Sequence, residues 1–241
     1  MSSKKLFLVL LLIGMFHTCT HAQTYLGLHA GINYPNARIS GIDGYIPDPK
    51  AIEGFNLGIQ VLYPIDEHFS IYSAISYQRN GFSLGVKDTL ILDVLPKDIP
   101  LGLRFDFFLD YIQVPLLLKY KFNPYQTQSA YVSVGVYGGY HSFAFVRTKI
   151  RAIIDFNISS TPLNLNSNLF NRFDMGWMAN LGYQIPLKNA ILHFEARYHR
   201  SMRPWLHNPL IAVDIKHYGF GFLTGISFPI NQKSKREPDR A

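Results

Sequence analysis

Hydrophobic and polar residues alternate in eight segments of the chain, and the clearest is DYIQVPLLLKYKF, residues 110–122. From Ile112 to Phe122 its even positions are all apolar, whereas its odd positions mix Tyr, Gln, Pro, Leu and Lys. A period of two predicts a β-strand whose two faces meet different environments. The eight predicted strands are residues 24–33, 54–63, 69–78, 110–122, 131–141, 172–184, 191–200 and 217–228.

The less apolar faces of these strands indicate which environment the apolar faces meet. They carry mostly Gly, Ser, Tyr, Asn and Gln, with scattered His and few charges, rather than the Lys and Glu that cover a soluble sheet. No charged residue interrupts the apolar faces, where Arg or Lys at the middle of a bilayer would cost roughly 2–4 kcal/mol. The pattern therefore favours apolar faces turned to lipid and polar faces enclosed.

The lengths of the connections alternate, which independently favours an up-and-down barrel. Long connections at residues 34–53, 81–105, 146–170 and 201–213 alternate with the short turns PIDE, NPYQTQS and PLKN. Membrane barrels have short periplasmic turns and long extracellular loops. Unpaired backbone groups are not tolerated in lipid, so the sheet must close. We therefore predict an all-β, closed antiparallel up-and-down transmembrane β-barrel, with eight strands.

Three features leave details of this architecture open. The segments TKIRAIIDFNIS and LIAVDIK also look strand-like, so ten strands, or strands that continue beyond the membrane, are alternatives. Pro115 falls inside a strand and cannot donate a ladder hydrogen bond, which predicts a bulge or bend there. The apolar residues at 90–95 predict either a strand extension or a contact surface for a partner.

The N-terminus predicts export. Two lysines precede the apolar segment LFLVLLLIGMF, and THA, which ends at Ala22, fits a cleavage site. Residues 1–22 are therefore predicted to be a cleaved signal peptide, residues 23–230 the barrel, and residues 231–241 a basic periplasmic tail. The single cysteine lies within the predicted signal, so the mature chain would contain no disulfide.

Composition changes this interpretation little. Charged residues make up 16% of the chain and aromatic residues 15%, which suits a barrel with a largely non-aqueous exterior. Beyond the N-terminus there is no run of 18 or more apolar residues, which excludes a helical membrane protein. The net charge of +7 is ascribed partly to the solvated tail rather than to binding of nucleic acid.

The segment YIQVPLLLKY resembles the outer-membrane β-barrel domain of Bacteroidetes, the group that includes PorT-like proteins. The resemblance covers roughly residues 23–230 and also includes GLHAGIN, SAISYQRNGF and FDMGWMANLGY. It implies location in the outer membrane of a Gram-negative cell and, often, the designation porin, but no particular activity. The last strand, which ends at Phe228, resembles the aromatic-ended signal read by the barrel-assembly machinery, which is the partner expected during biogenesis.

Inward-facing polar residues are the candidate site. An eight-stranded barrel is just wide enough for side chains to fill, and buried charges need partners, so we predict a structural polar network that plugs the lumen. An ion or proton path is the alternative. The network is predicted to comprise Lys119, Arg172, Asp174, Glu195, Arg197, His193, His199 and His217.

Other chemistry is less favoured by the sequence. His29 and His141 also face inward, and His199 with His217 could bind a metal near the outer rim, although interior hydrogen bonding is the favoured role. Ser142 beside His141, or Ser201 beside His199, lies in no nucleophile motif, so we predict a non-enzyme without a cofactor or a metal.

The predicted function is a structural or surface-binding role in the outer membrane. The alternatives are a narrow porin-like channel for small solutes and an accessory component of a secretion or uptake complex. The expected partners are outer-membrane lipid and an extracellular or periplasmic protein, because binding function concentrates on loops.

Overall fold

The computed structural model describes residues 23–41, 47–87, 102–126, 128–151, 155–165, 170–208 and 213–230. The chain forms ten strands within these ranges. The strands are β1 Tyr25–Ser40, β2 Gly54–Pro64, β3 Phe69–Lys87, β4 Gly102–Lys121, β5 Ser129–Arg151, β6 Asp155–Pro162, β7 Phe173–Leu187, β8 Ala190–Ser201, β9 Leu206–Asn208 and β10 Val213–Pro229. The same ranges contain no helix long and apolar enough to cross a membrane.

Eight of the strands close into a ring. Their order is β1-β2-β3-β4-β5-β7-β8-β10, every pairing is antiparallel, and β10 returns to pair with β1 from Pro229 opposite Tyr25 to Asp214 opposite Ser40. The short strands β6 and β9 pair outside the ring, with β5 and β10 respectively. The predicted closed up-and-down barrel is confirmed. Of the segments that suggested ten strands, TKIRAIIDFNIS contributes residues to β5 and β6, whereas the described part of LIAVDIK, residues 213–216, belongs to β10 of the ring.

The strands are longer than the sequence pattern predicted, mainly at the long-loop end. A barrel strand needs about 9–11 residues to cross a bilayer, whereas β5 has 23 residues and β4 has 20. Residues 81–87 and 102–105, predicted as a loop, continue β3 and β4. Residues 148–151 and 155–159, from TKIRAIIDFNIS, lie in β5 and β6. The barrel therefore projects beyond the membrane. The apolar residues at 90–95 lie outside the described residues, as do the predicted signal peptide and tail.

The exterior of the ring is apolar and its interior is packed. On β4, Leu116 is 58% exposed while its neighbour Leu117 is 1% exposed. Outward aromatic residues lie near both ends, including Phe69 and Phe122 at the short-turn end and Phe173 at the long-loop end. An apolar band between aromatic girdles is the arrangement of a lipid-facing barrel surface.

Pro115 interrupts the pairing with β3, where Val114 and Pro115 have no partners in the ladder, but the register is the same on both sides of the gap and the predicted bulge is not there. Pro115 faces Tyr137 of β5 without a register shift, and the shift occurs instead between Asp110 and Tyr111. Ser142 is the extra residue on β5, and its hydroxyl donates to the Asp110 carbonyl at 2.9 Å. This bulge reverses which positions of β5 point outward, so Tyr140 and Phe143 are both exposed.

The turn between β2 and β3 is fixed by one carboxylate. Asp66 accepts backbone N–H groups from Phe69 at 2.6 Å and from His68 at 2.8 Å. These bonds stabilise the charged form and lower the pKa of Asp66. A side chain that satisfies two backbone donors of its own turn favours the tight reversal that the sequence predicted there.

Candidate functional site

The interior of the ring is the candidate functional site, because it gathers many buried polar side chains. Four of them are charged residue types that are at most 7% exposed: Lys119 on β4, Asp174 on β7, and Glu195 and Arg197 on β8. Two are bases and two are acids, so their charges can balance within the lumen. Ionised groups persist in such a site only with partners.

Glu195 lies at the centre of the charged part of the lumen. Its Oε1 accepts two bonds from Arg197, from Nη2 at 2.8 Å and from Nε at 3.2 Å. Its Oε2 accepts the hydroxyl of Tyr131 at 3.1 Å. Arg197 Nη2 also donates to the hydroxyl of Tyr72 at 3.3 Å. Tyr72 is on β3, four places from β8 in the ring of eight, so this contact bridges the full width of the lumen.

Lys119 has polar and aromatic partners. Its Nζ donates to Gln184 Oε1 at 2.8 Å and lies 3.6 Å from the ring centroid of Tyr131, a cation–π contact. The Tyr131 ring reaches this position because residue 182 is Gly, where a Cβ would lie 2.2 Å from Tyr131 Cζ. A small residue on β7 therefore makes room for a large one on β5, and the lumen is filled across neighbouring strands.

Amides and imidazoles fill the side of the lumen formed by β1 and β2. Gln60 Nε2 donates to Ser227 Oγ at 2.8 Å and lies 3.0 Å from His193 Nε2. Gln60 Oε1 accepts the hydroxyl of Tyr72 at 3.3 Å, which joins this group to the Arg197 bridge. A second chain of side-chain hydrogen bonds runs through His29, Asn56, Gln78 and Asn80.

Asp174 lies nearer the long-loop end, at the start of β7. Its carboxylate accepts the hydroxyl of Ser201 and, at 3.2 Å, that of Tyr137. Ser201 Oγ is also 2.7 Å from the Arg203 carbonyl oxygen. Ser201 is therefore held by the carboxylate and a backbone oxygen and not by His199, which rules out the imagined Ser–His pair in this arrangement.

A layer of aromatic rings lies above this carboxylate. The ring of His217 lies 5.7 Å from Trp205, 6.0 Å from Phe82 and 6.3 Å from His141, measured between centroids. Tyr111 stacks on His141 at 5.1 Å. Neither ring nitrogen of His141 or His217 has a hydrogen-bond partner among the described residues. The layer is therefore held by packing, and its imidazoles retain unused bonding capacity.

Seven of the eight residues predicted for the network are buried inside the ring, and the eighth lies apart. Arg172 precedes β7, is half-buried, and donates from Nη1 to the hydroxyl of Tyr140 at 2.8 Å. Tyr140 points outward, so Arg172 lies at the rim. His199 is buried with its ring edge-on to Tyr137 at 6.1 Å. Within the described residues, Glu195 and Arg197 bond to each other, whereas Lys119 and His193 bond to Gln184 and Gln60, which were not predicted. Asp174 bonds to Ser201 and Tyr137, and His217 is in contact with aromatic rings.

Sequence reasoning missed an outward cluster at the long-loop end. Arg79 on β3 forms a two-pronged ion pair with Asp110 on β4, at 2.6 and 2.8 Å. Its guanidinium lies over the rings of Phe55, Phe108 and Phe145, at 5.4 to 5.8 Å. Both charged residues fall just beyond the apolar part of their strands, where the alternation of the sequence carries no further signal.

Asp106 forms a second missed cluster on the part of β4 that projects beyond the lipid-facing band. It binds Arg104 Nε at 2.7 Å and Lys149 Nζ at 2.9 Å. Burial alone would raise the pKa of Asp106, but the contacts with Lys149, Ser83 and Arg104 outweigh it, so the pKa lies below its ordinary value. This ion cluster links β3, β4 and β5 outside the membrane.

The described residues contain no group of three or more His, Cys, Asp or Glu side chains placed to hold a metal ion. His217, one of the two histidines considered as a metal pair, is surrounded by rings instead.

Comparisons with known proteins give a family and several distant structural likenesses. A family model described as outer membrane protein beta-barrel domain matches residues 21–206. No curated protein matches the sequence. Among solved structures, Neisserial surface protein A is 13% identical, with a TM-score of 0.40, and the match covers 85% of this chain and 97% of that one.

Two further structures show the same level of similarity. OprG from Pseudomonas aeruginosa is 12% identical, with a TM-score of 0.45 and coverage of 88% of this chain and 98% of that one. Ail from Yersinia pestis, in complex with the heparin analogue sucrose octasulfate, is 17% identical, with a TM-score of 0.35 and coverage of 84% and 99%. Likenesses at these values carry no information about activity.

Proposed function

This chain belongs to the outer membrane protein beta-barrel domain family, and from that membership we propose a barrel whose lumen is closed by side chains and whose role is structural or surface-binding. The observation that carries the proposal is the bridge from Arg197 on β8 to Tyr72 on β3. A side chain that spans the ring at its widest, with its charge neutralised by Glu195, leaves no continuous aqueous column at that level.

The surrounding contacts support a closed lumen. Tyr131 and Lys119 fill the space beside the bridge, and Gln60 joins it to the wall formed by β2. Nearer the long-loop end the lumen is obstructed a second time, by the rings around His217. Two obstructions of different chemistry at different depths favour a scaffold over a pore.

The finer assignments are part of the proposal. The YIQVPLLLKY segment, which lies wholly in β4, supports placement in the Bacteroidetes branch that includes PorT-like proteins. Export by a cleaved signal at residues 1–22, insertion by the barrel-assembly machinery and absence of catalysis complete it. Binding to another protein would use the part of β3 to β6 that projects beyond the membrane, because it offers charged and aromatic side chains to solvent.

A narrow channel is the second candidate, and one observation favours it. Several buried polar atoms have no partner among the described residues, including both side-chain polar atoms of Asn180 and both ring nitrogens of His141 and His217. Unpartnered buried polar groups commonly bind ordered water. A chain of such waters would make a path for protons or small ions past the rings.

Conductance in planar bilayers separates the two candidates. We expect protein comprising residues 23–241 to give no channel steps, because Arg197, Tyr72 and Tyr131 block the lumen. The triple variant Arg197→Ala, Tyr72→Ala and Tyr131→Ala removes the first obstruction. Adding Phe82→Ala and Trp205→Ala also removes the rings around His217, and this combined variant is the positive control for conduction. A matched outward variant, Leu116→Ala, should remain silent.

Reproducible steps from the unaltered protein would overturn the closed lumen, above all if Lys119→Glu changed their cation-to-anion selectivity. Absence of channel steps from every variant would not support the proposal by itself, because protein that failed to insert would give the same result. Insertion is therefore checked by heat-modifiable gel mobility of the reconstituted protein. Folded, inserted and silent protein is the expected result.

A further inference from the structure

Three exposed cations lie together on the outside of the ring at its long-loop end. Arg38 on β1, Lys216 on β10 and Arg200 on β8 line one open pocket of about 440 Å³, together with Tyr198 and Tyr218. We call these five residues the basic pocket. Asp48 also lines it, so the surplus of positive charge is two.

The three cations have no acidic partners among the residues that the structure describes. Within the described residues no salt bridge joins any of the three to a carboxylate. Arg38 and Lys216 face each other directly across the β1–β10 pairing, and like charges in that position repel. An anion bound between them would remove the repulsion, so the arrangement is suited to an anionic ligand.

The position of the basic pocket restricts what that ligand can be. Arg200 pairs with Trp177 and with Tyr218, and the rings of Trp177 and Tyr198 lie 5.2 Å apart on the outward surface. Outward aromatic residues at this end mark the interface of the membrane. Arg200 therefore lies level with the interface, and Arg38 and Lys216 lie one outward position further from the middle of the membrane. This is the depth of lipid headgroups, on the side of the long extracellular loops.

An apolar groove begins directly below the basic pocket. It has a volume of about 380 Å³ and shares Tyr198 with the pocket. Ala196 forms its floor, because this small outward residue is paired on one side with Leu181 and on the other with Phe222, each 59% exposed. We call these four residues the apolar groove. Arg200 is four positions after Ala196, which is about 13 Å along a strand.

We propose that the basic pocket and the apolar groove form one binding site for a phosphate-bearing lipid of the outer leaflet. The phosphate lies among Arg38, Arg200 and Lys216, and one acyl chain lies over Ala196. Guanidinium and ammonium groups are the usual partners of phosphate, and the groove offers apolar contact at the distance of an acyl chain. This inference concerns the exterior and is independent of whether the lumen conducts.

Native mass spectrometry of residues 23–241 in a neutral detergent tests the site. The probes are dioleoyl phosphatidic acid and dioleoyl phosphatidylcholine, which share acyl chains and differ in headgroup charge. We expect the phosphatidic acid to be retained at least about tenfold better, equivalent to about 1.4 kcal/mol. The triple variant Arg38→Gln, Arg200→Gln and Lys216→Gln should reduce that preference to about twofold or less.

The matched control removes three positive charges elsewhere at the same end of the barrel. Lys50→Gln, Arg147→Gln and Arg203→Gln together should keep the preference, because none of these residues lines the pocket. Ala196→Phe fills the groove, so it should weaken retention of the dioleoyl lipid while leaving the charges intact. Inorganic phosphate at the concentration of the lipid should not displace it.

A single substitution controls for the possibility that the triple variant fails to fold. Lys216→Gln removes one member of the repelling pair, so in neutral detergent without lipid it should melt at the same temperature as the unaltered protein or higher. With phosphatidic acid present it should gain less thermal stability than the unaltered protein. The proposal is overturned if the pocket variant keeps its preference, if the control loses as much, or if Ala196→Phe has no effect. Displacement by inorganic phosphate would make the site one for a soluble anion and would overturn the lipid assignment.

Discussion

The ion pair of Glu195 and Arg197 provides the most direct test of a closed lumen. Glu195→Gln keeps the shape of the side chain and removes its charge. Arg197, 3% exposed, would then have hydroxyl and amide partners but no carboxylate beside it. If this part of the lumen is dry, the uncompensated guanidinium is costly, whereas in a water-filled pore it would simply be hydrated.

The magnitude follows from the geometry. The contacting atoms are 2.8 Å apart, and with charge centres about 4 Å apart at an effective dielectric of about 20, the attraction is about 4 kcal/mol. Breaking a buried pair by removing one partner costs roughly 3–5 kcal/mol in general, which agrees. We expect Glu195→Gln to lower the free energy of unfolding by that amount. Tyr131→Phe, which removes one bond to the same carboxylate, should cost about 1–3 kcal/mol.

Urea unfolding in detergent micelles, followed by gel mobility and tryptophan fluorescence, measures these changes. Adding Arg197→Met to Glu195→Gln removes the stranded charge, so the double variant should lose at least about 2 kcal/mol less than the sum of the single losses. Glu53→Gln, the same change at an exposed position, should stay within about 0.5 kcal/mol of the unaltered protein. A loss below about 1 kcal/mol for Glu195→Gln, with no coupling to Arg197, would refute the dry lumen.

Three further predictions test other parts of the structure. The pKa of Asp106 is lowered in the folded protein, so the stability that its charged form gives the fold is complete above the ordinary value of about 3.9 and is lost as the pH falls through the folded value. Amide exchange in the projecting part of β4, normalised for intrinsic rates, should therefore accelerate below about pH 4. The variant Asp106→Asn should abolish that acceleration. Leu116→Arg places a charge on the lipid-facing side and should cost about 2–4 kcal/mol in the same urea assay, and a smaller loss would question which face meets lipid. In variants with a single tryptophan, brominated lipid should quench Trp177, which points outward, and spare Trp205, which is buried; equal quenching would contradict the assignment of inside and outside.

The ring could be predicted from the sequence because lipid contrasts so strongly with a polar interior. On β4, Leu116 and Leu117 are the same residue type but differ in exposure because they point to opposite faces. The alternation of apolar and polar residues around them identified which of the two faces outward. The alternation of apolar and polar residues ends where the strands leave the lipid-facing band. Beyond that level charged residues such as Asp106 and Lys149 can lie on the outer face, where they pair with each other. The extended strands therefore carry no alternation of apolar and polar residues to detect. A bulge such as that at Ser142 also reverses the phase without a sequence signal.

The members of the lumen network were predictable by position, but their partners were not. A period of two places Glu195 and Arg197 on one face, and their contact needs nothing more. Contacts across the lumen, such as Arg197 with Tyr72, depend on which strands lie opposite in a ring of eight and on their stagger, and neither quantity is local. Arg172 was placed inward because the predicted strand began at that residue. β7 begins instead at Phe173, so Arg172 lies outside the strand and bonds to Tyr140 at the rim.

The hydrogen bonds of Glu195 and Gln60 argue that the exterior is better suited to binding other molecules than the charged part of the lumen is. In the charged part of the lumen, Glu195 uses both carboxylate oxygens on neighbours, and Gln60 uses both ends of its amide. A ligand there would have to displace existing bonds and leave buried groups unsatisfied, which costs about 1–3 kcal/mol for each group. Outside the ring the opposite holds: Arg38 and Lys216 repel each other until an anion arrives, so binding there removes a cost instead of adding one. Selection for binding can therefore act on the outer surface of this barrel without disturbing the contacts that keep it folded.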